Sequence, residues 1–244
     1  MTGHIEDYFI RGYCTSGPIF SPDELVQIAY LLDQTCSRAT HHDEVARDCI
    51  FERDQPSSKR GGLELEHDEN IIFVLGNLFQ HCPELISLIL KQALLKLVKS
   101  TIMVDEPVLH LVNLTQKAAR IGSSINFHRD FPNKYICPIE PVMVRTMICI
   151  DGMTEENGPT SFFVGSHLDT STDASELVSE AALCDPGSVV AINPLVLHGG
   201  LANRSPNPRR NIIIQWGAKN VPLMDKTKEF VTGKSAYDLI AKHQ

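Results

Sequence analysis

Among the ten histidines of the 244-residue chain, two stand where a metal ion would use them. In the run Asn126-Phe127-His128-Arg129-Asp130, the histidine and the aspartate are two positions apart. Side chains two apart on a strand leave by the same face, so His128 and Asp130 project together from a strand end. Far along the chain, His198 closes a second apolar run, 189–197, and is followed by Gly199-Gly200. Two imidazoles and one carboxylate occupy one side of a metal and leave the opposite positions open. That is the ligand set of non-haem Fe(II) oxygenases. Alone, His128 and Asp130 also fit a hydrogen-bonded strand end, and the three residues would equally hold Zn, Mn or Ni in a cupin-like enzyme without a keto-acid, or remain as relics in a silent binding protein.

The residues after His198 bear on that choice. Gly199-Gly200-Leu201-Ala202-Asn203 leads through Pro206 and Pro208 to Arg209-Arg210 and the strand Asn211-Ile-Ile-Ile-Gln215-Trp216. A turn and a returning antiparallel strand bring an arginine back beside the histidine. An arginine inside a barrel mouth is an uncompensated charge unless it meets an anion. Its planar fork pairs bidentately with a carboxylate. Metal plus arginine is therefore the demand pattern of a 2-oxoglutarate site, whereas a cupin-like enzyme gives the arginine nothing to hold. Neighbouring strand residues face opposite ways, so only one of the two arginines enters. The spacing from His198 favours Arg209, leaving Arg210 exposed or salt-bridged. Arg120, Arg145, Lys134 and His110 lie near the same mouth and receive no role.

The elements that must carry these residues change character along the chain. Ser21-Pro22-Asp23-Glu24 is a capping box with proline at the first helical position, followed by Leu25, Ile28, Ala29 and Leu32 at helical spacing. A second helix is expected from Pro83, with Ile86, Ile89, Leu90, Ala93, Leu94 and Leu97 on one face. The polar stretch 57–62 has the composition of a mobile loop or lid. From about Thr101, short runs rich in Val, Ile, Thr and Phe predict strands over 102–112, 120–129, 142–151, 160–164, 188–192, 194–198 and 210–217. Turn signals such as Asn157-Gly158-Pro159 separate them. Helices followed by closely spaced short strands predict a mainly β chain, a jelly roll with N-terminal helices. One domain is expected over 1–244: a helical part to about 100, a β body over about 101–218, and a tail over 219–244.

Composition narrows the classes further. Lys plus Arg is 22 against 30 Asp plus Glu, a formal net charge of −8, which offers no basic surplus for nucleic acid or an anionic membrane. Seven scattered cysteines without a Cys-x-x-Cys pair do not form a disulfide framework. No apolar run reaches bilayer length and no basic leader precedes one, so a cytoplasmic address is expected. Thr232-Gly-Lys-Ser235 is no phosphate loop, because Lys228 stands where the motif needs its first glycine, five positions before Gly233.

Taken together, the chain resembles the phytanoyl-CoA dioxygenase family of Fe(II)/2-oxoglutarate oxygenases. The matching features are Tyr8-Phe-Ile-Arg-Gly12-Tyr13 before the Ser21 helix, His128-Arg-Asp130, Asn157-Gly-Pro-Thr-Ser-Phe-Phe-Val-Gly165-Ser166-His167, and His198 with Arg209 eleven residues later. They cover roughly residues 5–218. The resemblance implies a double-stranded β-helix, with His128, Asp130 and His198 as iron ligands and Arg209 on the distal carboxylate of 2-oxoglutarate. It places further co-substrate contacts at Thr146 and Asn211. His167 is expected to order a loop rather than bind metal. Gly200 departs from the pattern, because relatives often carry a serine two residues after the distal histidine. An aspartate at 130, rather than glycine or alanine, leaves no halide position. The implied reaction uses O2 to decarboxylate 2-oxoglutarate to succinate and to hydroxylate a C–H bond of a small-molecule substrate. The modest length points to a compact polar metabolite.

Overall fold

The capping box at Ser21 forms: the Ser21 amide donates to Glu24 Oε2 at 2.8 Å and the Glu24 amide to Ser21 Oγ at 3.3 Å. The computed structural model describes residues 2–39, 41–65, 70–173, 177–224 and 227–243. Helix α1 (Thr2–Arg11) runs into strand β1 (Tyr13–Thr15), and α2 (Pro22–Ala39) and α3 (Asp43–Ala46) follow. Next come β2 (Cys49–Phe51), 3-10 turns at Glu52–Asp54 and Ser57–Arg60, and β3 (Ile72–Leu75). Three helices, α4 (Leu78–His81), α5 (Leu85–Ile89) and α6 (Gln92–Ile102), complete this part. The body holds β4 (Pro107–Lys117), β5 (Ile125–His128), β6 (Met143–Cys149), β7 (Thr160–Phe163) and β8 (Ser179–Ala181). It continues through β9 (Val189–Ile192), β10 (His198–Gly200) and β11 (Arg209–Ala218), and the chain closes with β12 (Lys234–Ser235) and α7 (Ala236–His243).

Two antiparallel sheets result, the jelly roll that the strand pattern predicts. The larger runs β1-β9-β6-β11-β4-β3-β2 with β12 added beside β4; the smaller runs β5-β10-β7-β8. Strand parity sorts their side chains into two layers. Outward from the larger sheet, Val112, Leu114, Val144, Ile148, Ile212, Ile214 and Trp216 form one core with Ile28 and Leu32 of α2 and Leu94 and Val98 of α6. These residues are almost wholly buried, and truncating one of the isoleucines to alanine would cost about 2–5 kcal/mol. Inward, a smaller cluster of Tyr13, Met147, Cys149, Phe162, Val190 and Ile192 lies between the sheets.

Four details differ from the sequence pattern. The helix expected from Pro83 is two helices. Lys91 takes an extended conformation (ψ 155°) and carries its ammonium to Glu24, 2.6 Å away, while Ala93 faces solvent. The strand expected at 194–198 is a turn, because Pro194 has no amide to pair and Asn193 Oδ1 instead accepts the Leu195 amide at 3.0 Å. His198 therefore begins β10 in the smaller sheet rather than closing β9 in the larger one. The 57–62 stretch is neither loose nor a lid: buried Arg60 donates to the carbonyls of Glu52 (2.6 Å), Gln55 (3.0 Å) and Leu63 (3.1 Å). Lastly, β1, β2 and β3 come from the part expected to be helical and extend both edges of the larger sheet.

Candidate functional site

Register brings the two histidines together. β10 pairs with β5 so that His198 lies opposite His128, and their rings are 4.5 Å apart between centroids. Asp130, two residues past His128, is wholly buried against both. One ligand atom from each of the three residues lies within 4.8 Å of the others. Asp130 Oδ1 is 3.5 Å from His128 Nε2, and Oδ2 is 3.7 Å from His198 Nε2. Each imidazole is anchored by its other nitrogen: His128 Nδ1 donates to the Asn126 carbonyl at 2.9 Å and His198 Nδ1 to the Val196 carbonyl at 3.0 Å. That anchoring aims both Nε2 lone pairs into the same space, as metal-ligating histidines require. Asp130 Oδ2 has no hydrogen-bond partner among the described residues. Two aimed lone pairs and an unspent buried carboxylate oxygen fit a divalent cation.

The charges respond accordingly. Burial opposes ionisation of Asp130, yet Arg145, His198 and His128 together hold its carboxyl well below the ordinary range. The hydrogen bond to Asp130 raises His128, whereas burial lowers His198. Arg145 donates to Asp130 Oδ1, and its Nε and Nη2 both reach Gln215 Oε1 at 3.2 Å. Gln215 is fixed in turn by the Ile136 carbonyl (2.7 Å) and by His110 Nδ1 (3.0 Å). Burial keeps His110 neutral by pushing it down to about 4, so its Nδ1 can accept.

A cavity of about 140 Å³ runs inward from this cluster, lined among others by Thr115, Met147, Arg209 and Asn211. Parity on β11 explains the last two: Arg209, Asn211 and Ile213 face inward while Ile212 and Ile214 join the outer core. Arg209 is 1% exposed and burial pulls it down to about 10. It donates to the Gly158 carbonyl at 2.7 Å, while its Nε and both amide atoms of Asn211 have no partner among the described residues. Gly158 (φ +69°) belongs to the Asn157-Gly158-Pro159 turn, and a Cβ there would lie 2.3 Å from the Leu201 carbonyl oxygen. Arg210 faces out and pairs with Asp151 and Asp33.

Thr146 is not brought to the cavity. It lies on the opposite face of β6 from Arg145 and Met147, and its hydroxyl accepts the Trp216 Nε1 hydrogen at 2.8 Å. His167 is also remote from the metal cluster, with Nε2 3.0 Å from the Phe9 carbonyl.

One residue the sequence reading passed over stands beside Arg209. β4 pairs with β11 so that Lys117 lies directly opposite it. The Lys117 side chain is fully buried, and its ammonium donates to the carbonyls of Gly158 (3.0 Å) and Leu201. Burial, with the Arg209 charge adding, pushes Lys117 down to about 6, and Glu52 opposes the shift. Neither cation forms an ion pair among the described residues. Gly200 leaves room for this ammonium: a Cβ at 200 would lie 3.2 Å from Lys117 Nζ and 2.8 Å from the Pro159 carbonyl oxygen. Position 200, where the resemblance leads one to expect a serine, is thus beside a lysine.

The family model for phytanoyl-CoA dioxygenase matches residues 10–211. The chain belongs to that family. Its members are Fe(II)/2-oxoglutarate oxygenases, and iron, 2-oxoglutarate and O2 are accordingly the cofactors and oxidant here. Solved structures of similar fold include EctD from S. alaskensis, determined with 2-oxoglutarate and 5-hydroxyectoine (18% identity, TM-score 0.78, 96% of this chain and 83% of that one). AviO1 from Streptomyces viridochromogenes Tue57 is 20% identical with a TM-score of 0.73, covering 91% of this chain and 96% of its own. The carbocyclase SnoK of nogalamycin biosynthesis, described as α-ketoglutarate dependent, is 15% identical with a TM-score of 0.72, over 91% and 85%. Within this family fold, no helix of the described residues is long and apolar enough to cross a membrane.

Proposed function

We propose that the protein hydroxylates a compact small-molecule substrate at a C–H bond while converting 2-oxoglutarate to succinate. The observation that carries the reading is the continuity of one cavity from His128, Asp130 and His198 to the buried, unpaired Arg209, with the buried Lys117 directly opposite it on β4. A buried guanidinium without a counter-ion is costly, and a dicarboxylate entering this cavity offsets that cost at its far carboxylate. A metal enzyme without a keto-acid gives Arg209 no such partner.

His128, Asp130 and His198 would hold the iron through Nε2, a carboxylate oxygen and Nε2. Arg209 and Lys117 would clamp the far carboxylate of 2-oxoglutarate, and the Asn211 amide, free on both atoms, would meet the remaining oxygens. Iron with 2-oxoglutarate supplies the oxidising power for C–H chemistry; the protein supplies orientation and a dry site. Phe162, Met147 and Ile192 wall the interior with apolar surface and exclude water. His128 is the exposed ligand (side chain 42% accessible, against 8% for His198), so the substrate approaches past it. The small cavity supports a compact substrate.

The test is a screen of small polar metabolites for succinate release above the substrate-free rate, with products examined for the mass of one added oxygen atom. A metabolite that stimulates succinate formation and gains one oxygen establishes the reaction. Stimulated turnover whose product instead loses two hydrogens or rearranges would overturn hydroxylation while leaving the oxygenase class intact.

A further inference from the structure

Asp130 has two oxygens beside ligand nitrogens, Oδ1 at 3.5 Å from His128 Nε2 and Oδ2 at 3.7 Å from His198 Nε2. Both are therefore within reach of a metal held by the two imidazoles, and a carboxylate so placed can chelate with both. Two-oxygen chelation would occupy a coordination position that the co-substrate needs. Arg145 is the group that distinguishes the oxygens: it donates to Oδ1, while Oδ2 has no partner among the described residues. Its aim is not left to chance. Gln215 Oε1 accepts both Nε and Nη2 at 3.2 Å, and the Gln215 amide nitrogen is itself fixed by the Ile136 carbonyl and neutral His110. The chain Asp130–Arg145–Gln215–His110 crosses from the loop after β5 through β6 and β11 to β4.

We propose that Arg145 is a positioning residue that keeps Asp130 a one-oxygen ligand, so that the metal positions used by 2-oxoglutarate stay open. The proposal rests on the iron and 2-oxoglutarate reading of the site. It has a consequence that ordinary damage to a pocket lacks. Without Arg145, Asp130 loses a neighbouring positive charge and regains its second oxygen, so the metal is held no more weakly. Co-substrate chelation, by contrast, must then displace a carboxylate oxygen. Losing a partner of a metal ligand typically costs about 10–100-fold in metal affinity or activity; here a loss of that size is expected in co-substrate binding rather than in metal affinity.

The experiment uses Co(II), whose visible spectrum reports its coordination and which supports no turnover. Wild type, Arg145→Met, the small polar Arg145→Ser, Arg145→Lys and His128→Ala are each titrated with Co(II) and then with 2-oxoglutarate. In Arg145→Met and Arg145→Ser, the expected result is Co(II) affinity equal to or tighter than wild type and an altered Co(II) spectrum before 2-oxoglutarate is added. Their 2-oxoglutarate Kd should rise about 10–100-fold. Lysine retains one donor for Oδ1, so Arg145→Lys should restore the wild-type spectrum and most of the co-substrate affinity. Wild type that binds no Co(II) in a His128-dependent manner overturns the metal reading and this role together. Wild type that binds normally, with an unchanged Co(II)-only spectrum in both truncations, overturns the role of Arg145 alone. Equal weakening of metal and co-substrate also overturns it, since that is what a collapsed pocket gives.

Discussion

Lys117, directly opposite Arg209, would make co-substrate binding a proton-coupled event if its amine meets the incoming carboxylate. In the free protein its ammonium is pushed down to about 6, chiefly by burial and then by the facing Arg209, with Glu52 as the opposing carboxylate. Above that pH the lysine is largely neutral. A carboxylate brought between Lys117 and Arg209 favours the charged form again, so 2-oxoglutarate carries a proton in with it. The sign follows from linkage. If the complex needs a protonated lysine, its Kd rises by up to about tenfold for each pH unit above 6, or about 1.4 kcal/mol, until the lysine of the complex itself titrates. The co-substrate-free fold has the opposite trend. A native pKa below the unfolded value means that the unfolded chain binds more protons, so this residue's contribution to stability rises with pH above about 6. Calorimetric titration of Co(II)-loaded protein with 2-oxoglutarate at pH 6.5, 7.5 and 8.5, in buffers of differing ionisation enthalpy, reads both quantities. Near pH 8 the expected uptake approaches one proton per co-substrate, and Lys117→Met abolishes it and flattens the pH dependence. A Kd constant across that range with no proton uptake in wild type would refute the reasoning.

Three further substitutions test neighbouring parts of the account. Arg209→Ala removes one partner of a buried charge pair and should weaken 2-oxoglutarate by about 2–5 kcal/mol, thirtyfold or more, in the same titration. Thr146→Val leaves the Trp216 indole hydrogen without its buried acceptor, so denaturant unfolding should show a loss of about 1–3 kcal/mol, while the 2-oxoglutarate Kd stays at the wild-type value. Gly200→Ser introduces the serine that the family resemblance leads one to expect, yet its Cβ would meet the Pro159 carbonyl and the Lys117 ammonium. It should therefore weaken 2-oxoglutarate binding and lower Tm; tighter binding would show that the serine role was merely vacant.

What could be read without coordinates follows a physical division. Arg209 and Asn211 are a two-apart pair on β11, and parity alone puts them on one face; His128 and Asp130 are also two apart, but Asp130 lies just past the end of β5, so the course of the following loop as well as parity brings them together. Parity does not say which face, and Thr146 shows the consequence. Position 146 and its neighbours at 145 and 147 are equally compatible with a strand lining the site, but β6 turns Arg145 and Met147 inward and Thr146 toward Trp216. Lys117 is illegible for another reason. A lysine at the end of an apolar strand looks like a solvated charge, and only the ten-residue register of β4 against β11 places it opposite Arg209. Pro194 carried a local signal that outweighs the apolar run around it: lacking an amide, it ends β9 at Ile192 and lets His198 start the strand that faces His128.

The most direct test of the central claim is made on metal-free protein under nitrogen, with Fe(II) and 2-oxoglutarate added in turn to wild type and His128→Ala. A keto-acid chelated to ferrous iron gives a weak visible charge-transfer band. The band should develop in wild type only when both are present, and should be absent in His128→Ala. Wild type that takes up stoichiometric iron yet shows no band with 2-oxoglutarate would contradict the account, because the cavity leading to Arg209 would then serve some other anion.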